Sequence, residues 1–474
     1  MRHFFLIFLI LLLCAKGFGQ EKWSLQQCVD YALKNNISIK QSDVQARISA
    51  ITARQSQMTL YPNLTGSINS SYQHGLTTNP TTNILESSSY TSGNMNLQAS
   101  YNIFNWNARK NTIAANNLYL KADEIGVDKA KNDISLAVAN AFLQVMLRRE
   151  QARISEVQTN QSRAQLSNTR MLVNAGSQPE LNAIQLEAQL AKDSSALLQA
   201  NALIEQALIN LKAYLNVDFA VPFDIAAPSV NDIPIENMAD LQAETVYQLA
   251  LNYQPLQKMY KIRIEAAGKE VKAARGYMYP GLAAFGGMST RAINAQNPVY
   301  GVLPAQPDGS FVKVNGTQYP VYSPSVGVLS YSKNPFFKQL NQNFGQDIGI
   351  GINFSIFNNY TSRTQWERAK ANATQLHLQE DQENLNLRTN IYNAYQDAFS
   401  SYQKYQASQR TVAYSQKAFD ISKKRFDIGL LGTLDYIITQ NNLYLAQIDE
   451  VSNHYDFVFK MKVLEFYKGR GIKL

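Results

Sequence analysis

Beyond residue 20, the histidines and thiols, the side chains most often used to ligate transition metals, act as strong nucleophiles or carry protons near neutral pH, reduce to His74, His377, His454 and Cys28. Zinc ligation or nucleophilic catalysis from sequence-local groups needs short, helix- or turn-matched spacings such as H-E-x-x-H or C-x-x-C. These four residues stand far apart, and none opens such a motif. No G-x-S-x-G elbow, phosphate-binding G-x-x-x-x-G-K-[ST] loop or G-x-G-x-x-G turn occurs either. The reading is a non-enzyme with no catalytic residue, no metal site and no cofactor. The charge is basic, with Lys+Arg 44 against Asp+Glu 36, but only 17% of residues are charged and no Lys/Arg run is present. A diffuse charge of that kind gives no nucleic-acid patch.

The elements around those residues begin with a targeting segment. Arg2, an apolar run over 4–13 and the small residues Ala15, Gly17 and Gly19 read as a secretory signal peptide over 1–19, cleaved near Gly19 or Gln20. Cys14 raises lipidation, but Leu13 precedes it where a small residue is expected. After cleavage Cys28 is the one thiol left, so no internal disulfide can form. No later apolar run reaches spanning length for a helix.

Met95, Leu97, Ala99, Tyr101 and Ile103 alternate with Asn94, Asn96, Gln98, Ser100 and Asn102, the period of a strand with two unlike faces. The same pattern, shifted by 253 residues, places Ile348, Ile350, Ile352, Phe354 and Ile356 in the same phase. That shift also relates Phe104 to Phe357, Gly176 to Gly429, Leu190 to Leu443 and Tyr214 to Tyr467. A second shift of 218 relates Tyr61-Pro62 to Tyr279-Pro280 and Lys40 to Lys258. The chain therefore reads as a duplication: a first repeat over 20–216, a Pro-containing linker over 217–240 and a second repeat over 241–474. Each repeat runs helix, strand, polar loop (73–93 in the first repeat, 291–346 in the second), strand, long helix, helix. The strands are expected at about 63–72, 94–104, 281–290 and 347–357, and the long helices at 109–175 and 360–428, where no Pro interrupts.

Helices of that length reach roughly 100 Å. Ile134, Val138, Ala141 and Val145 form a narrow seam, with Leu387, Ile391, Ala394 and Ala398 as its counterpart. Alone, the seam fits a solvated antiparallel coiled coil as well as a helical wall wet on both sides. The strands are about as long as a tilted strand crossing a bilayer. Aromatics stand near their ends: Tyr61, Phe104, Trp106, Tyr279, Phe357 and Tyr360. Such residues form the girdles of membrane barrels, although a small soluble sheet with one buried face remains open. Four strands cannot close, and a lipid-exposed sheet edge is forbidden. In a membrane, other copies must complete the barrel; two give eight strands, and three give twelve with room for a lumen.

At this point the sequence resembles the TolC-like outer membrane efflux proteins. The Tyr-Pro junctions at Pro62 and Pro280, the alternating strands, and the glycine turns "RMLVNAGSQPELN" (170–182) and "KRFDIGLLGTLD" (424–435) carry the resemblance over essentially the whole mature chain. It implies a mainly α fold with membrane β: a homotrimer whose twelve-stranded β-barrel continues into a twelve-helix periplasmic α-barrel. It implies a passive exit duct in the outer membrane of a Gram-negative bacterium, touching outer membrane lipid and opened on docking to a periplasmic adaptor and an inner-membrane transporter. It places Gly176, Ser177, Gly429 and Leu430 at adaptor-docking tips. It places Asp435 at a periplasmic constriction, with the uncharged Asn182 at the corresponding first-repeat position; Asp435 is equally an acid favoured in a helix's first turn. Ser177-x-x-Glu180 reads as a capping box. The runner-up is a non-pore periplasmic coiled-coil adaptor or interaction protein.

Overall fold

The computed structural model describes residues 22–78, 83–226 and 230–469. The signal-peptide reading of 1–19, Cys14 and the linker's Pro228 lie outside the described residues. In chain order the elements are α1 (Leu25–Asn35), α2 (Ile37–Met58), β1 (Asn63–Thr78), β2 (Leu85–Phe104), α3 (Ala108–Asn174), α4 (Glu180–Leu215), α5 (Ala243–Tyr253), α6 (Pro255–Gly276), β3 (Gly281–Ile293), β4 (Asn297–Val302), β5 (Gln306–Val314), β6 (Thr317–Ser323), β7 (Val326–Ser332), α7 (Phe336–Gln342), β8 (Gly345–Asn353), α8 (Thr361–Asp427) and α9 (Thr433–Tyr467). Between α4 and α5 the linker holds short 3-10 turns at Val230–Asp232 and Met238–Leu241. The protein is mainly helical. Among the described residues no helix is long and apolar enough to cross a membrane, a statement that bears on helices alone.

The chain divides into two interleaved units. The first comprises the chain to Ala53, Ala115–Gly268 and Ala371 onward, and it is helical. α3 and α8 are each 67 residues long. Neither contains Pro, so every backbone N–H can serve the i→i−4 ladder. Their polarity is high, and their packing comes from a narrow seam in which Val138, Val145, Ile391 and Ala398 are fully buried. Three separate cores lie along the helices. One joins Cys28 and Ala32 of α1, Val138, Phe142 and Met146 of α3, and Leu211 and Leu215 of α4. A second joins Val246 and Ala250 of α5, Ile391 of α8, and Met461 and Leu464 of α9. The third joins Leu186 of α4, Phe419 and Phe426 of α8, and Tyr436 and Ile437 of α9. Burial among apolar neighbours pushes the Cys28 thiol up to about 12, so it is an inert core residue.

The linker is strapped to this unit by lysines. Lys212, at the end of α4, donates to the carbonyls of Phe219 (3.0 Å) and Val221 (2.6 Å). Lys462 of α9, only 4% exposed in its side chain, donates to the carbonyl of Pro234 and to Glu465 Oε2 at 2.9 Å. Glu465 Oε1 accepts from the Glu236 backbone N–H at 2.9 Å.

The second unit comprises Arg54–Ala114 and Lys269–Lys370. Its main sheet is four-stranded and antiparallel throughout, in the order β1-β2-β3-β8. β4 pairs with β7, and β5 with β6. These strands correct two loop expectations. The stretch 73–93 is largely strand, because β1 runs on to Thr78 and β2 starts at Leu85. Its Ser- and Thr-rich composition supports a ladder of side-chain bonds, Ser71 Oγ to Ser92 Oγ at 2.8 Å and His74 Nδ1 to Ser89 Oγ at 2.7 Å. The stretch 291–346 holds β4–β7 and α7. Pro298, Pro307 and Pro320 lie within its strands. A two-stranded ribbon has two free edges, so a proline there need not cost a ladder bond. Asn315 and Gly316, both at positive φ, make its hairpin turn. The last strand stops at Asn353, short of the expected 357.

Candidate functional site

The pleat of the main sheet sorts its residues into two faces, and the register keeps them sorted across all four strands. One row reads Leu64, Ala99, Gly286, Ile348; the next reads Gly66, Leu97, Met288, with the polar Gln346 at its end. Tyr101, Ala284 and Ile350 continue this apolar face. The opposite rows read Thr65, Gln98, Gly287, Asp347 and Ser67, Asn96, Ser289, Gly345. Tyr90, Ala283, Phe285 and Ile293 interrupt that polar face; a Cβ on Gly349 would come within 2.5 Å of the Phe285 ring, so glycine there makes room for the aromatic. Away from α7, which reaches this face at Gly93 and Thr290, the apolar face is uncovered among the described residues: Ile348 is 93% exposed and Ile68 77%. β1 and β8 each have one free edge. In water this would be an aggregation-prone sheet. Such a face and such edges call for cover from outside the chain.

The strand-to-helix junctions collect several of the residues singled out by sequence. Trp106 lies with Phe104 (ring centroids 5.4 Å apart) and Tyr279 (5.1 Å), and its indole N–H donates to the Pro280 carbonyl at 2.9 Å. So Phe104, Trp106, Tyr279 and Pro280 form one cluster joining the ends of β2 and α6. Tyr61 is exposed in the turn after α2. Phe357 and Tyr360 lie beyond the end of β8 rather than in a strand. The chain enters α3 through two consecutive left-handed residues, Trp106 and Asn107, and α8 through Asn359 and Tyr360, all with φ between 52 and 61°. Conformations this costly for non-glycine residues persist only where surrounding contacts impose them. Arg109, which no sequence signal marked, is one such contact. It donates to the carbonyls of Asn102 (2.8 Å) and Thr59 (3.3 Å), and it lies over the Tyr101 ring at 4.9 Å.

At their other ends α3 and α8 stop in identical fashion. Gly176 has φ +75°, with its N–H bonded to Val173 O and the Ser177 N–H to Leu172 O. Gly429 has φ +77°, with its N–H bonded to Phe426 O and the Leu430 N–H to Arg425 O. Both are Schellman ends, whose left-handed residue favours glycine. Ser177 is consequently committed to the helix behind it: its hydroxyl donates to Leu172 O at 2.8 Å. This overturns the capping box. Pro179 is the N-cap of α4 and offers no side-chain cap, while Glu180 is ion-paired with Arg170, which also holds Glu187.

Asp435 is exposed in the first turn of α9. The buried residues beside it fix its position. Tyr436 stacks on Phe426 at 4.6 Å, and burial pushes its hydroxyl up to about 12. Asn182 is half-buried in the first turn of α4, with Nδ2 donating to Gln178 Oε1 at 3.5 Å. Further along, a polar seam that sequence reasoning missed joins α3, α4 and α9. The buried Asp193 carboxylate accepts from Gln158 (3.3 Å), Ser162 (2.6 Å) and Gln189 (2.8 Å), while Gln440 Nε2 donates to Ser162 Oγ at 3.3 Å. Asn and Gln on long helices read as solvated faces, and periodicity does not separate the buried ones.

The three histidines fall on β1, α8 and α9. Burial lowers the pKa of His454 and so favours its neutral form; its ring stacks on Tyr405 at 4.2 Å. Among the described residues, no three His, Cys, Asp or Glu side chains group so as to hold a metal.

Comparison with known proteins bears on this architecture. Among solved structures, CusC superposes with a TM-score of 0.75 at 16% identity, covering 95% of this chain and 93% of that one. The Campylobacter jejuni CmeC outer membrane channel gives 0.72 at 17% identity, covering 96% and 90%. The open-state MtrE outer membrane channel of Neisseria gonorrhoeae gives 0.69 at 17% identity, covering 95% and 89%. At such identities the likeness concerns the fold. No curated protein matches the sequence. The profile described as Outer membrane efflux protein matches residues 28–217 and 246–459, and on that ground the chain belongs to the outer membrane efflux protein family, a family of channels rather than enzymes.

Proposed function

We propose that this protein is the outer membrane exit duct of a tripartite efflux system, a homotrimer whose sheets complete one twelve-stranded barrel and whose helices form a periplasmic tunnel. The observation that carries this reading is the uncovered four-stranded sheet, apolar on one face, polar on the other and open at both edges. The free edge of β8 in one copy pairs with the free edge of β1 in the next, and the polar face lines the lumen. The duct is passive. The glycine turns at Gly176, Ser177, Gly429 and Leu430 meet a periplasmic adaptor, which couples the duct to an inner-membrane transporter and opens it. A pore-less coiled-coil adaptor would use the same long helices, but it gives Ile348, Ile350 and Ile352 nothing to face.

The test is reconstitution. The purified protein should be extracted from outer membranes by detergent and not by salt, and it should form discrete channels in planar bilayers. Salt-extractable protein without conductance would sink the proposal. In the closed duct three Asp435 carboxylates converge near the mouth, where low-dielectric walls strengthen their field. Asp435→Asn should weaken block by a trivalent cation about tenfold. It should change stability by less than about 1 kcal/mol, the worth of a first-turn acid. Unchanged block and selectivity would make Asp435 a helix-start acid only.

The orientation follows from the same reading: the β1–β2 turn and the ribbon β4–β7 lie outside the cell. Cysteines at Thr78 and Gln318 should react with an impermeant thiol reagent on whole cells. Gln318 is the better ribbon probe because Asp308 is engaged, its carboxylate accepting from the Ser310 N–H at 2.9 Å and the Ser323 hydroxyl at 2.5 Å. Labelling at both sites only after the outer membrane is opened would invert the topology.

A further inference from the structure

Residues 297–332, between β3 and β8, form a two-stranded ribbon in two nested pairs, β4 with β7 and β5 with β6. Among the described residues nothing covers it, and its composition is unlike that of an exposed hairpin. Asp308 and Lys313 are its only charged residues. Tyr300, Phe311, Tyr319, Tyr322 and Tyr331 are each more than half exposed. These five rings alone offer on the order of 500 Å² of apolar surface, spread over both faces. Both ribbon faces are apolar. Tyr300 and Val302 stand opposite Val328 and Val326 on one, while on the other Leu329 and Leu303 lie across Gly301 and Gly327. A lone two-stranded ribbon is marginal in water, so this one needs a partner surface.

We propose that the ribbons of the three copies pack on one another across the outer mouth of the barrel and form an aromatic cap that narrows it. This rests on the trimeric duct proposed above and adds an outer constriction to it. The placement of the ribbon selects its own copies as the occupant. It leads through α7 directly into β8, the edge strand that meets the next copy, so its root sits at the subunit junction. A twelve-stranded barrel is roughly 25 Å across. The six residues of β4 alone span about 20 Å, so each ribbon can pass the barrel axis. Three ribbons rooted on one rim meet at millimolar effective concentration or above, with no further cost of association. Near-absence of charge suits three identical surfaces, since like charges would otherwise face one another.

The test uses the full-length protein in outer membranes, with Cys28 silent because it is fully buried. Single variants Tyr319→Cys and Val302→Cys are treated with a short bis-maleimide, and native mass is measured on the same preparation in detergent. A third variant replaces residues 304–324 by Asn-Gly, a turn that suits the pairing of Leu303 with Ser325. Expected are chain-to-chain cross-links at one or both cysteines, and a conductance about twofold or more above the intact protein for the shortened variant. A trimer with no cross-link at either position overturns the cap while leaving the duct standing, as does a cross-link to a different polypeptide. Cross-links with unchanged conductance of the shortened variant also overturn it, because the ribbons would then touch without narrowing the mouth. A monomeric mass removes the cap and the duct together.

Discussion

Lys462→Met is expected to destabilise the helical unit by about 3–5 kcal/mol, the usual cost of removing one partner from a buried ion pair. Lys462 and Glu465 are 4% and 9% exposed in their side chains, so neither charge has water to fall back on. Without the ammonium, Glu465 keeps only the Glu236 N–H, and the Pro234 carbonyl loses its donor. The double variant Lys462→Met/Glu465→Met should recover most of the loss, because two well-packed apolar side chains carry no orphaned charge. Lys468→Met provides the scale for a less buried pair: its bond to Glu236 at 2.8 Å has both side chains 19% exposed, and about 1 kcal/mol is expected. The measurement is the thermal midpoint of the helical circular-dichroism signal in detergent. A Lys462→Met midpoint equal to that of the unmodified protein would show that the linker is held elsewhere.

Gly429→Val should abolish coupling to the adaptor with the barrel intact. The space around Gly429 is open, and an added Cβ meets nothing within 4 Å. The cost is therefore in the backbone, since φ of +77° disfavours an L-residue by about 1–2 kcal/mol, with β-branching adding to it. The turn escapes by unwinding the end of α8 and displacing Leu430. Gly176→Val should behave alike, and Gly429→Asn, which tolerates the left-handed region, should be mild. Adaptor pull-down is the functional readout; heat resistance of the oligomer in sodium dodecyl sulfate reports the barrel. Wild-type adaptor capture by Gly429→Val would remove the tip turns from the docking surface.

Physical chemistry explains which parts were legible in the sequence. The long helices stand out because Pro is absent from 109–175 and 360–428, and the structure ends α3 and α8 within a residue of those limits. The glycines at 176 and 429 mark their ends because few other residues tolerate the conformation. The alternation of Met95–Ile103 survives as strand because one face must stay apolar. The ribbon was read as loop because Pro, Asn and Gly punctuate it, and those residues break central strands but suit the edges and turn of an isolated hairpin. Ser177 misled because its spacing to Glu180 fits a capping box, whereas the Schellman turn at Gly176 claims its hydroxyl first. Lys212 left no trace, since its partners are backbone carbonyls, which every residue carries, and the same holds for the carbonyl bonds of Lys462 and Arg109. Trp106 looked like a girdle aromatic; its bond to the Pro280 carbonyl, 174 residues away, follows from topology that no local pattern encodes.

The completion of the open sheet by other copies is tested most directly by native mass measurement of the detergent-solubilised protein, with its strand signal followed by infrared absorption. Three chains per particle are expected, with a strand signal lost only on heating to monomers. A monodisperse monomer that keeps its strand signal intact would contradict it, because the edges of β1 and β8 would then survive without a partner.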